Sequence, residues 1–176
     1  MVTGPPGSGK STVSRLLAER CERSALVEGD AFFAFLAAGR IDPWLPESDE
    51  QNRIVTEAAA VATGHFVTSG YDTYYDGVLG PWFLDPFIRA SGLTELDYAI
   101  LLPPVEACVE RVRTRRNHGF SDEAAARKMH TEFAKAPIDP RHVVGGDAAA
   151  SPAEVADAIE VRRSERRLRV HPPPST

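Results

Sequence analysis

The sequence predicts an α/β fold with a mostly parallel sheet, on three observations. Strand-like apolar runs alternate with helix-like segments along the chain. A glycine-rich turn, GPPGSGKST at 4–12, joins the first strand to the first helix. Asp97–Leu102 (DYAILL) is almost continuously apolar, as a strand covered on both faces is.

The elements follow in order. Met1-Val2-Thr3 reads as the end of the first strand. A strand usually has about 5–6 residues, so either this one is stunted or the chain begins further upstream. The first helix runs from Ser11 to about Arg20, with Val13, Leu16 and Leu17 on one face. Ser24–Glu28 (SALVE) is the second strand, closing at Gly29-Asp30, and a short helix over Ala31–Ala38 is stopped by Gly39. After a proline-rich connection, Ser48 and Gln51 match a capping box. That box opens a helix to about Ser69 with Ile54, Ala58 and Val61 at helical spacing. Tyr71–Gly77 (YDTYYDG) is the third strand, and Pro86, with Asp85 as cap, starts the next helix. Beyond Asp97–Leu102, a helix runs from Pro104 into an arginine cluster. Ser121 caps another, to about Ala134, and 142–144 is a short last strand. Ser151 and Glu154 form a second capping box with Pro152 at the first helical position. This final helix is expected to reach about Arg167, with the arginines of 162–169 on its exposed face.

The bulk properties narrow the function classes. A chain of 176 residues suits one domain, taken here as 1–170, with 171–176 (HPPPST) an expected disordered tail. A net charge of -5 gives no electrostatic reason to bind nucleic acid or an anionic membrane. No apolar run approaches the ~18 residues of a membrane span. Cys21 and Cys108 lack metal-spaced partners, which reads as reduced thiols and a cytoplasmic setting.

Gly4, Gly9, Lys10 and Ser11 satisfy the spacing G-x-x-x-x-G-K-[ST], with a strand before and a helix after, as that pattern requires. Glycines let backbone N–H groups turn inward around an anion without side chains in the way. The start of the helix adds the positive end of its dipole, worth up to ~1 kcal/mol for an exposed charge. Gly4, Gly7, Ser8, Gly9, Lys10, Ser11 and Thr12 are therefore the candidate nucleotide-binding residues. Lys10 reaches the β- and γ-phosphates, and the Ser11 hydroxyl is the candidate Mg²⁺ ligand, so ATP and Mg²⁺ are the expected cofactors.

Together, GPPGSGKST, LVEGDAFF (26–33) and ERVRTRR (110–116) resemble the small P-loop kinase group of gluconate, shikimate and adenylylsulfate kinases and chloramphenicol phosphotransferase. The resemblance reaches to about residue 160. It implies a three-layer P-loop NTPase fold: a five-stranded, mostly parallel sheet, helices on both faces, and a small arginine-bearing lid over about 111–135. It also implies an enzyme that transfers the γ-phosphate of ATP to a hydroxyl of a small molecule, whether sugar acid, other metabolite or antibiotic. The alternatives are a nucleotide or nucleoside kinase, or a nucleotide-binding switch with slow ATPase activity.

The resemblance also assigns roles. Asp30 lies just past the second strand, at the carboxyl edge where open α/β sheets bind ligands. It either caps the next helix or, as in the similar kinases, orients or deprotonates the acceptor hydroxyl or supports Mg²⁺ through water. Asp76 ends the third strand at the same edge, as a plain Asp-Gly turn, an acceptor contact or an outer-shell Mg²⁺ partner. Arg111 and Arg115, four apart on one helix face, resemble the lid entrance of adenylate kinases. There one arginine stacks on adenine and another reaches the transferring phosphate, which makes Arg111 a nucleotide-binding and Arg115 a catalytic candidate. Residues 117–121 would be the lid hinge, and 145–151 would flank the adenine. No arginine follows Asp76-Gly77, where nucleoside monophosphate kinases hold an acceptor phosphate, and this favours a neutral alcohol. Arg40, Asp42, Trp44 and Asp49 are candidates to line the acceptor pocket. Phe32, Phe33 and Phe35 are either its apolar wall or core.

Overall fold

The computed structural model describes residues 1–114 and 120–172. Arg115, most of the expected hinge and the last four residues of the tail lie outside the described residues.

Val2–Thr3 forms β1, and the glycine turn delivers the chain into α1 (Lys10–Glu19), whose Val13, Leu17 and Ala18 pack on the sheet. β2 (Ser24–Glu28) leads into α2 (Gly29–Phe32), one turn of helix prolonged by a 3-10 turn over Phe33–Phe35. Then come α3 (Asp49–Thr68), β3 (Asp72–Gly77), α4 (Pro81–Ser91), β4 (Leu96–Asp97) and β5 (Ala99–Leu101). The rest is α5 (Val105–Thr114), α6 (Glu123–Lys135), β6 (Val143–Val144), α7 (Pro152–Ser164) and β7 (Arg169–Val170).

The main sheet has the order β2-β3-β1-β5-β6, with every pairing parallel. α1 and α7 cover one face through residues such as Leu17 and Ile159, and α3, α4 and α6 cover the other through Ala59, Ala60, Phe87 and Phe133. This is the three-layer α/β arrangement that the alternating pattern implied. β1 sits between β3 and β5, so successive crossovers leave it in opposite directions. A crevice opens outside the carboxyl ends of the strands at such a reversal. Among the described residues no helix is long and apolar enough to cross a membrane.

Several local expectations are corrected. The helix expected over Ala31–Ala38 ends early, because Leu36 turns to an extended backbone after the 3-10 turn. Ser48 and Gln51 make no capping box. The Ser48 hydroxyl donates to the carbonyls of Pro43 and Leu45, and the Gln51 amide grips both backbone groups of Ile41, so the pair braces the 40–48 loop instead. Ile54, Ala58 and Val61 lie on the outer face of α3, whose buried face is Val55, Ala59, Ala60, Thr63 and Gly64. The fourth helix begins at Pro81, and Pro86 lies inside it, where its missing N–H leaves the Trp82 carbonyl without a helical partner. Asp122, not Ser121, caps α6 by accepting from the Ala125 N–H.

The strand expected over Asp97–Leu102 is divided. Ala99–Leu101 lies in the main sheet, whereas Leu96–Asp97 turns to pair antiparallel with β7. Arg169, expected on an exposed helix face, is in β7 and forms ion pairs with Asp97 and Glu95. The final helix ends at Ser164, and Arg162 from its last turn donates to the carbonyls of Arg141 and Val143.

The second capping box is present as expected, with Ser151 and Glu154 each satisfying the other's backbone N–H. Ser151→Ala is expected to lower stability by about 1 kcal/mol in urea unfolding, with an unchanged denaturant slope.

Candidate active site

Gly4, Gly7 and Gly9 all take positive φ, as a turn that aims its amides inward needs. Two of them are also hemmed in. A methyl on Gly4 would overlap the Leu101 carbonyl, and one on Gly7 would overlap the Cys108 carbonyl. Gly9 is the N-cap of α1, with no side-chain cap and no acid in the first turn, so the amides there keep their hydrogen-bonding capacity for an anion. Lys10 and Ser8 are buried and Ser11 half-buried, while Thr12 is exposed. Thr12 lines a shallow depression with Arg15 and Glu19, apart from the main cleft.

Asp76 is brought to this loop by sheet topology. β1 and β3 are neighbours, in a register that sets Val2 beside Asp76. Its carboxyl is buried within electrostatic reach of Lys10 and against the Ser11 hydroxyl. Burial pushes its pKa up, opposed by Lys10 and by the Ser11 hydrogen bond. Asp76 Oδ1 has no hydrogen-bond partner, and neither does the buried Ser8 Oγ in the loop. Buried polar atoms are nearly always satisfied, so an orphan carboxylate oxygen here calls for a cation. The donor set fits Mg²⁺, which favours one or two oxygen ligands from protein together with phosphate oxygens. Asp76 is not among the residues that line the neighbouring cleft, and it faces Lys10 and Ser11 instead.

The loop that follows is fixed by Thr3, whose hydroxyl donates to the Leu79 carbonyl and accepts from the Leu79 N–H. The Tyr98 hydroxyl donates to the same carbonyl. Strand β1 therefore anchors the chain just past Asp76.

The cleft beside the loop has a volume of about 1050 Å³. Lys10 and Ser11 line it, and so does Asp30, exposed in the first turn of α2. Arg40, Asp42, Trp44 and Asp49 all line it, as the sequence suggested. Phe33 joins the wall, Phe32 packs into the core, and Phe35 is 79% exposed.

The lining residues that escaped the sequence reading include Lys128, Glu132 and Tyr75. Lys128 and Glu132 come from α6, and Lys128 Nζ donates to the Trp44 carbonyl at 2.8 Å. The hydroxyl end of Tyr75 lies where a methyl on Gly29 or Gly77 would sit, so those two glycines make room for it. Burial, then Asp30 and Asp76, raise its pKa and keep the phenol protonated. A tyrosine in a strand carries no local signal for this position, which depends on Gly29 at the start of α2 as well as on Gly77 of its own strand.

Arg111 bridges the glycine loop and the last connection, donating to the carbonyls of Gly7 at 3.3 Å and Ala148 at 3.4 Å. It thus stands against the 145–151 segment expected to flank the adenine. α5 and α6 pack through Val109, Val112 and Ala126 with Phe120, and α6, within the segment expected to be the lid, lines the cleft with Lys128, Met129, Glu132 and Phe133.

No protein-family model matches the chain. Two curated nematode proteins, each described as Tat-binding homolog 7, from Caenorhabditis briggsae and Caenorhabditis elegans, are 41% identical over 56 residues. That stretch is 32% of this chain and 4% of either relative. The solved structures it resembles match over nearly the whole chain. A sugar kinase from a Janibacter species has TM-score 0.70 at 20% identity, with 93% of this chain and 92% of that one covered. The tunicamycin resistance protein of Deinococcus radiodurans has TM-score 0.68 at 17% identity, covering 98% and 96%. A gluconokinase from Sinorhizobium meliloti has TM-score 0.63 at 24% identity, covering 94% and 92%. At such identities the likeness is one of fold, and the chain has the three-layer fold of the small P-loop kinases.

Proposed function

We propose that the protein is an ATP-dependent kinase that transfers the γ-phosphate to a hydroxyl of a small molecule. The observation that carries this reading is the Asp76 carboxylate, with one oxygen unpartnered, beside Ser11 and Lys10 at the uncapped start of α1, where Lys10 and Ser11 also line a cleft shared with Asp30. The glycine-loop amides hold the phosphate chain, and Lys10 neutralises charge on its outer part. Ser11 and Asp76 would hold Mg²⁺, which would supply positive charge against the phosphate chain. Asp30 orients the acceptor hydroxyl or takes its proton as the new P–O bond forms and the bond to the β-phosphate oxygen breaks. Arg111 holds the adenine side, and Arg115 answers the developing γ-phosphate charge. The kinases among the structural neighbours support the class of reaction.

Release of ADP, followed with and without a library of small alcohols, tests the reading. Acceptor-stimulated release is expected. Slow hydrolysis indifferent to every acceptor would favour the nucleotide switch. Asp30→Asn is expected to lower stimulated turnover about 10²- to 10⁴-fold with little change in ATP affinity. Unchanged turnover would remove Asp30 from the chemistry.

A further inference from the structure

We infer that the acceptor is an uncharged or cationic alcohol with a flat, apolar body, rather than an anionic sugar acid or a phosphate ester. This rests on the proposed kinase reading and deepens it. The first ground is size and lining. Clefts of roughly 300–1,000 Å³ take ligands of drug size, and this one is about 1050 Å³. A six-carbon sugar acid would leave most of that space to water. Aromatic pairs flank the cleft: Trp44 from the 40–48 loop meets Phe120 edge-on at 5.1 Å, and Trp82 of α4 meets Phe133 of the lid helix at 5.4 Å. Each pair joins the body of the protein to the lid side. Trp82 lines the cleft and is 46% exposed, which leaves aromatic surface for a flat ligand.

The second ground is charge. Among the described residues, the lining carboxylates are Asp30, Asp42, Asp49, Glu50 and Glu132, and the cations away from the phosphate end are Arg40, Arg53 and Lys128. Arg53 is tied to Glu57, and Lys128 is turned onto the Trp44 carbonyl. A carboxylate or phosphate entering this cleft meets an excess of like charge, which costs it affinity. A neutral ligand meets no such penalty, and a cationic one meets five carboxylates against three cations.

The experiment uses the full chain and a matched pair of probes, 9-anthracenemethanol and 9-anthracenecarboxylate, which differ in charge and share one flat ring system. Trp44 and Trp82 are the two tryptophans of the sequence and both line the cleft, so energy transfer from tryptophan to anthracene reports occupancy directly. Saturable transfer is expected with the alcohol, and binding at least about tenfold weaker with the carboxylate, by the like-charge penalty above. In Asp42→Asn/Glu132→Gln, at two exposed positions, the gap is expected to narrow through tighter carboxylate binding. Equal or tighter binding of the carboxylate by the natural chain, no saturable signal from the alcohol, or a gap unmoved in the double variant would each overturn the inference. Probe binding needs no turnover, so its failure is separable from failure of the kinase reading, which ADP release tests.

Discussion

Asp76→Asn is expected to melt at a higher temperature than the natural protein when nucleotide and metal are absent, and to lose magnesium-dependent turnover by about two to three orders of magnitude. The two effects share one cause. The Asp76 side chain is 6% exposed, and one of its oxygens has no partner. Keeping a charge there without a cation is unfavourable, and burial accordingly raises its pKa despite Lys10 and the Ser11 hydroxyl. Asparagine is close in shape and removes the charge.

The sign of the pH dependence follows. A carboxyl whose pKa is raised by folding holds its proton more tightly in the native state. The stability this gives is fully present below the ordinary carboxylate pKa, near 3.9, and is lost as pH rises through the raised value. In EDTA, the two proteins should therefore be closest in melting temperature in acid, with the variant ahead toward neutrality. Saturating Mg·ATP should reverse the order, since ligand bound to the native state stabilises it by mass action and the variant binds less. Thermal unfolding across pH, with and without Mg·ATP, reads all of this. A variant less stable than the natural chain at neutral pH in EDTA would mean that Lys10 already compensates the buried charge, and the argument for a missing cation would fail.

What the sequence made legible was what neighbours in the chain decide. The glycine loop is a local pattern, and its backbone has the positive φ angles the pattern implies. Ser24–Glu28 and the Ser151 box occur where they were expected, because apolar run, proline and cap residues lie within a few positions of one another. What was left open or misread is non-local. Asp76 gains its place beside Lys10 from β3 lying next to β1, and no local feature of the third strand announces that pairing. Asp97–Leu102 reads as one strand until β7 returns from far along the chain to take its first residues. Lys128 and Glu132 reach the cleft because α6 folds back over it. In α3, Ile54, Ala58 and Val61 are as helically spaced as the true inner face. The choice between the two stripes is made by α4, which crosses closely enough to require small residues.

That crossing sets up a test in which two physical arguments predict opposite signs. Gly64 lies inside α3, and by helix propensity alone alanine there should stabilise by about 1 kcal/mol. The structure predicts the reverse. A methyl on Gly64 would overlap the Ser91 carbonyl oxygen and lie 2.8 Å from its carbon, in backbone that cannot move aside like a side chain. Ser91 is itself held, with its hydroxyl donating to the Ile88 carbonyl and accepting from the Leu93 N–H. α3 and α4 must then separate, and Ala60 and Phe87, now fully buried between them and the sheet, lose contact. Forced overpacking of this kind costs about 1–3 kcal/mol. Gly64→Ala should therefore lower the melting temperature by about 2–4 °C per kcal/mol lost. The same displacement carries Val55 and Thr56, which line the cleft from α3, so affinity for the acceptor-side probe should fall while ATP affinity changes little. A Gly64→Ala protein that is more stable than the natural chain would show that the helices do not approach as closely as described.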